Sequence, residues 1–257
     1  MKRSRIEGSI IWFAALLGLW EIVSRSGLVS QLIMPPVTVI LRSFAFEWGS
    51  GELEISMLLS LGFVFAGISA GGIGAFIISA LSFQFDAVKR LSGMLTAVLH
   101  PLPGIALLPV FILFFGIGRI TLLVVIIHSV IWPLIINISA GFTSVPAVYR
   151  RIGSNYGLKS AAFFFRIMVP ASFPHILSGL KTAWARAWRA AVSAEMVFGI
   201  TGSGGGLGWF VYNKRIFMDT PGMYAGILML AILGIIVESG LFNLIENKTV
   251  RRWGVSV

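Results

Sequence analysis

The chain has 257 residues, of which 57% are hydrophobic and only 12% charged, and its mean hydropathy is +0.92. A soluble domain of this length carries roughly 25% charged residues, so most of this surface must face acyl chains, and no length is left for a second, soluble domain. Cysteine is absent, which excludes disulfides, thiolate metal sites and thiol nucleophiles, and the net charge of +10 follows topology rather than a nucleic-acid-binding patch.

A helix needs about 20 mainly apolar residues to cross the hydrocarbon core, and charge-free runs locate about six such helices. The first is 8–24, interrupted only by Glu21. It lacks a small-residue cleavage site, with Trp20-Glu21 where one would fall, so it reads as a retained span. Residues 55–85, 91–118 and 120–149 contain no Asp, Glu, Lys or Arg. Gly67, Gly71 and Gly74 share one helix face and read as a surface for close helix packing. Pro101, Pro103 and Pro109 fall in one span and Pro133 in the next. Each removes a backbone hydrogen bond, which suits either a tight bundle or a lined pathway. The span 176–199 is unusual in carrying Lys181, Arg186, Arg189 and Glu195. The last is 220–237, extended by 239–245 beyond Glu238.

Basic residues fix the orientation. Alternate segments hold Lys2, Arg3 and Arg5; Lys89 and Arg90; Arg150, Arg151, Lys159 and Arg166; and Lys248, Arg251 and Arg252. The opposite set holds only Arg25, Arg42, Arg119, Lys214 and Arg215, so both termini are expected in the cytoplasm. Residues 142–175 are then the longest inside loop. Two short helices are predicted in it, at 145–155 and 158–169, separated at Gly157 and stopped by Pro170. Such helices suit a lipid-surface anchor or a docking site for another protein.

The glycine-rich run 199–208 has no Gly-Lys-Ser/Thr ending and follows no strand, so it reads as a flexible extracytoplasmic loop and not a phosphate loop. No nucleotide site is expected in this chain. His100 and His128, in apolar segments, read as neutral side chains hydrogen-bonded between helices, and His175 has no partner at ligand spacing. Lys181 lies near the cytoplasmic end and can snorkel. Charges at mid-membrane cost about 2.5–3.5 kcal/mol on insertion scales, so Arg186 and Arg189 are expected either to line a pathway or to pair with Glu21 or Glu238. Glu195, on another face, is assigned a structural role in preference to a substrate one.

The spacing of Gly157, nine residues, and Ile167-Met168-Val169-Pro170 resembles the cytoplasmic signature of ATP-binding-cassette importer permeases: Glu-Ala-Ala, three residues, Gly, nine residues, Ile-x-Leu-Pro. Arg151-Ile152-Gly153 stands where the first triplet would be. Other stretches resemble the nitrate/sulfonate/taurine branch: Met34-Pro35-Pro36 before Val39, and the run from Pro101 to Pro109 leading to Phe115-Gly116-Ile117-Gly118. Further on come Pro170-Ala171 with Pro174 and Ile176, Gly179-Leu180-Lys181, Ala194-Glu195 and Gly206-Leu207-Gly208.

The resemblance implies an all-α type I importer permease: one transmembrane domain over 1–257, with a core at about 55–245 and a cytoplasmic coupling loop at about 142–175. It further implies a permease homodimer in a bacterial inner membrane, two ATP-binding-cassette ATPase subunits beneath, and an extracytoplasmic binding protein. ATP would be bound by the partner and no cofactor by this chain, which would not itself be an enzyme. Arg151, Gly157, Ile167, Val169 and Pro170 would meet the ATPase, with Arg151 reaching an acidic group. Arg186, Arg189 and Glu195 are the pathway candidates for a small oxyanion. A stand-alone carrier or channel lacks support because no two matching hydropathy halves are present. An embedded enzyme would need a nucleophile, metal cluster or paired carboxylates at depth.

Overall fold

The computed structural model describes residues 2–198 and 205–252, which are helical apart from turns and short connections. Helix α1 (Lys2–Arg25) and the short α2 (Val37–Gly49) precede α3 (Glu52–Gln84) and α4 (Asp86–Leu99). A 3-10 turn at Gly104–Leu107 leads into α5 (Leu108–Phe115), followed by α6 (Arg119–Ser144) and α7 (Ala147–Asn155). Next come α8 (Ser160–Phe163), a π-type segment (Phe164–Met168), α9 (Val169–Ala171) and α10 (Phe173–Phe198). After it, α11 (Leu207–Ile216) and α12 (Thr220–Ile235) precede a second π-type segment (Ile236–Phe242) and α13 (Asn243–Lys248).

Three helices, Glu52–Gln84, Arg119–Ser144 and Thr220–Lys248, are long and apolar enough to span a membrane, and five if each of two bent pairs counts as one span. The expected six is reached only by adding α1, whose Ile11, Trp12, Phe13 and Leu16 are all exposed.

The centre of the bundle is α6, clasped between α3 and α10. Lipid tails are as apolar as leucine, so close packing and internal hydrogen bonds hold such helices together, not exclusion of water. The glycine face on α3 provides that closeness. A Cβ at Gly67 would overlap the side chain of Ile126, and one at Gly71 that of Val130. Val64, Val125, Ile126 and Val130 are fully buried at this seam.

A second cluster joins the outer helices through Leu53, Leu207, Phe210, Val211, Met229 and Leu233. Beside it, Lys214 of α11 pairs with the buried Glu47 of α2 and lies 3.5 Å from both Glu52 and Asp219. Burial works against the lysine's charge, but the hydrogen bond to Glu47 and the neighbouring carboxylates outweigh it and hold its pKa above the ordinary value.

Both bends fall next to prolines. The α4 helix and the Gly104–Phe115 helix meet at 89°, across Pro101 and Pro103. Neither proline has an N–H to continue the helical ladder. The Ser160–Ala171 stretch and α10 meet at 62°. There the expectation needs correcting, because Pro170 does not stop the helix. It lies inside the continuous helical run 160–171, directly after the π-type turn Phe164–Met168, and the break falls two residues later at Ser172.

Candidate functional site

The α4–α5 break, the middle of α6 and the middle of α10 line a half-open cavity of about 480 Å³. Its lining includes His100, Pro101 and Pro103 from the break, His128, Ser129 and Trp132 from α6, and Arg186, Arg189 and Ser193 from α10. This is the setting in which interrupted backbone is tolerated at membrane depth, because the unbonded groups face a cavity and not lipid. Pro101 and Pro103 thus border a lined space, whereas Pro109 and the buried Pro133 are not among its lining residues.

Both arginines line this cavity, and neither pairs with the carboxylates considered from sequence. Glu21 is occupied by Arg25 at 2.7 Å and by Thr38, and Glu238 is exposed on its π-type segment. Arg186 Nη2 lies 3.4 Å from His100 Nε2, and Arg189 Nε donates 2.9 Å to the Ala185 carbonyl one turn back. Among the described residues no carboxylate lines the cavity. Lys181 does more than snorkel, since it is paired with Glu246.

His100 meets Arg186 of another helix as expected, and His128 differs from expectation. His128 is not hydrogen-bonded between helices; neither ring nitrogen has a protein partner, although both are buried. Trp132 Nε1 and His100 Nδ1 are in the same position. His128 and Trp132, one turn apart on α6, meet edge to face with ring centroids 6.0 Å apart. The i, i+4 spacing of these two residues was the sequence signal for the cluster, together with His100 directly before Pro101.

Glu195 does not line the cavity. Its buried carboxylate accepts from Ser60 Oγ at 2.8 and 2.9 Å and from the Gly208 backbone N–H at 2.8 Å. Ser60 Oγ in turn accepts from the Leu207 N–H at 2.8 Å. The first N–H groups of a helix have no intrahelical acceptor, and here two of them are satisfied by side chains of α3 and α10. Gly206 and Gly208 let the chain pass this close, since a Cβ on either would collide with Glu195. Of the glycine-rich run 199–208, residues 199–204 lie outside the described residues. The rest is a buried entry to α11, not a flexible loop.

On the opposite side, the segment after α6 forms a separate surface. Gly157 adopts φ +66°, the left-handed turn anticipated from its position, and the Leu158 N–H returns to the Gly153 carbonyl at 2.9 Å. A Cβ at Gly153 would lie 2.7 Å from the Phe163 ring, so α7 rests directly on α8 where the family triplet is replaced. Arg151 and Pro170 are exposed, Ile167 and Val169 half-buried, and Met168 between them is buried. Ile152, Tyr156 and Phe165 leave large apolar groups on the surface. Phe164 faces inward, 5.2 Å from Phe142 of α6 and 6.1 Å from Phe76 of α3. Among the described residues no three His, Cys, Asp or Glu side chains converge as metal ligands.

Residues 64–250 match the family described as binding-protein-dependent transport system inner membrane component. The chain belongs to that family. The permease is 28% identical over 255 residues to a nitrate import permease protein of Leptolyngbya laminosa, covering 93% of this chain and 86% of that one. It is 28% identical over 254 residues to the taurine transport system permease protein of Escherichia coli, covering 94% and 88%. A formylaminopyrimidine transport permease protein of Halalkalibacterium halodurans is 27% identical over 237 residues, covering 92% of each. Its fold is similar to that of the MetNI methionine ABC transporter in an inward-facing conformation, with a TM-score of 0.60 at 13% identity over 78% of this chain and 95% of that one.

It is a type I ABC importer permease, the membrane-spanning subunit of its system. Membership implies an ATPase partner and a substrate-binding protein, and a multi-pass position in the inner membrane. A carrier or channel working alone is thereby set aside.

Proposed function

We propose that this permease imports a small oxyanion, of the nitrate, sulfonate or taurine kind, through the cavity bounded by Arg186 and Arg189. The observation that carries the reading is the pairing of two guanidinium groups with a lining that has no carboxylate. Guanidinium suits planar and tetrahedral oxyanions through paired N–H donors, and a poorly screened cavity lowers the barrier for an anion while raising it for a cation. Permeases of nitrate and taurine systems among the relatives point the same way.

The single domain works as a homodimer with both termini in the cytoplasm, as the bias in basic residues requires. ATP is bound by two partner ATPases and not by this chain, which has no catalytic role. Arg151, Gly157, Ile167, Val169 and Pro170, on the turn and helices after α6, meet the ATPase. Glu195 acts structurally.

The test is uptake of labelled nitrate and taurine in cells that express the whole system. Arg186→Gln and Arg189→Gln should each cut uptake at least several-fold while subunit abundance stays at the wild-type level, because no buried acid loses its partner. Normal uptake in both variants, or uptake of cations in preference to anions by the wild type, would refute the reading.

A further inference from the structure

The unpartnered groups around the cavity are nearly all of one kind. Trp132 Nε1 and the guanidinium nitrogens only donate. If His100 Nε2 accepts from Arg186, the neutral ring carries its proton on Nδ1, which is buried and has no protein partner. His128 supplies one more N–H whichever nitrogen bears it. Three residues of one cavity therefore bring N–H groups that no protein acceptor meets, beside two arginines. Their hydrogen bonds are left for what occupies the cavity, and a ligand that offers only oxygens matches such a set of donors.

We infer that His100, His128 and Trp132, together with Arg186 and Arg189, form an oxyanion-binding site inside the membrane, so that the permease itself reads the head group of its cargo. This rests on the oxyanion reading above and extends it from a field that favours anions to a site that binds one. The N–H groups of α6 face the guanidinium groups of α10 across the cavity, and the α4–α5 break contributes His100 on a third side. Arg186 is about 20 Å from either end of α10 at 1.5 Å per residue, so the phosphate of a bilayer lipid, which stays at the interface, is not the occupant. The ring of Phe111 also lies 6.0 Å from His128, but it offers no hydrogen bond and is not part of the cavity lining.

The experiment uses the purified permease–ATPase complex without binding protein, and saturation-transfer NMR on the methyl protons of methanesulfonate. Wild type should show transfer that nitrate competes away, and tetramethylammonium of similar size should show none. Trp132→Phe and His128→Phe keep the ring volume and remove the donor. A hydrogen bond to a charged group contributes enough that each loss should weaken binding roughly 10- to 100-fold. Phe111→Leu, which disturbs the same packing but removes no donor, should bind as wild type.

Equal transfer in wild type, Trp132→Phe and His128→Phe would overturn the assignment, as would an equal loss in Phe111→Leu. No transfer in a wild type that still imports anions would overturn the site and spare the importer reading. Binding retained in a wild type that imports no oxyanion would support the site and strike the proposed cargo instead.

Discussion

The Glu195 carboxylate gives the sharpest test of how the outer part of the molecule is held. Glu195→Ala deletes the acceptor for the Ser60 hydroxyl and the Gly208 N–H, leaving two buried donors without partners. At about 1–3 kcal/mol for each, the local cost is about 2–6 kcal/mol. It should appear as opening of the first turn of α11, because the Gly208 amide is released and the Ser60 hydroxyl that accepts from the Leu207 amide loses its own anchor. Glu195→Gln keeps one acceptor and should cost about half as much. Ser60→Ala unpairs the Leu207 amide, and the double variant should cost less than the sum of the single ones, as expected within one network. The assay is hydrogen exchange, read by mass spectrometry on a peptide spanning 205–211. Since 1.4 kcal/mol corresponds to tenfold, even the lower figure gives exchange about 30-fold faster in Glu195→Ala. Unchanged exchange of this peptide in both Glu195→Ala and Ser60→Ala would refute the idea that the carboxylate anchors α11.

Two further outcomes follow from positions already described. Gly157→Val places a β-branched residue at φ +66°, where no neighbour lies within 4 Å of a Cβ, so the cost is backbone strain alone, about 1–2 kcal/mol. The variant should insert normally but co-purify with less ATPase, and Gly157→Ala should fall between it and wild type. Lys214→Met leaves the Glu47 carboxylate buried and unpaired, which should destabilise the purified subunit by about 3–5 kcal/mol, with Lys214→Met/Glu47→Gln recovering much of the loss in thermal melting. The pH dependence has a definite sign. Because the folded state raises the pKa of Lys214, its stabilisation is complete below the unfolded lysine value of about 10.4 and is lost as pH climbs through the folded value, so melting should fall only in strongly alkaline solution.

Much of the fold was legible because a membrane imposes long apolar runs. The glycine face on α3, the turn at Gly157 and the two short helices within 142–175 follow from local rules of backbone and spacing. The cavity does not. His128, Trp132 and Arg186 come from different helices, and nothing local says that an interrupted α4–α5 span will open a space between them. The Glu195 network was hidden for the same reason, since its partner Ser60 lies 135 residues away. The end of the helix was misplaced at Pro170 because the π-type turn before it, which no local rule announces, lets the helical run pass the proline.

Helix α6 reaches from the surface formed by α7–α9 to the cavity, and Pro133 interrupts its hydrogen-bond ladder on the way. Phe142 rests on Phe164 at one end, and Trp132 stands about 15 Å along the axis at 1.5 Å per residue. Pro133 lies directly next to Trp132 and offers no N–H to the Ser129 carbonyl, while its own carbonyl is bonded by the Asn137 side chain at 2.8 Å. The backbone ladder of α6 is thus one bond short where the helix forms the cavity wall, and the run from Phe142 to Trp132 is the continuous path that joins the two surfaces.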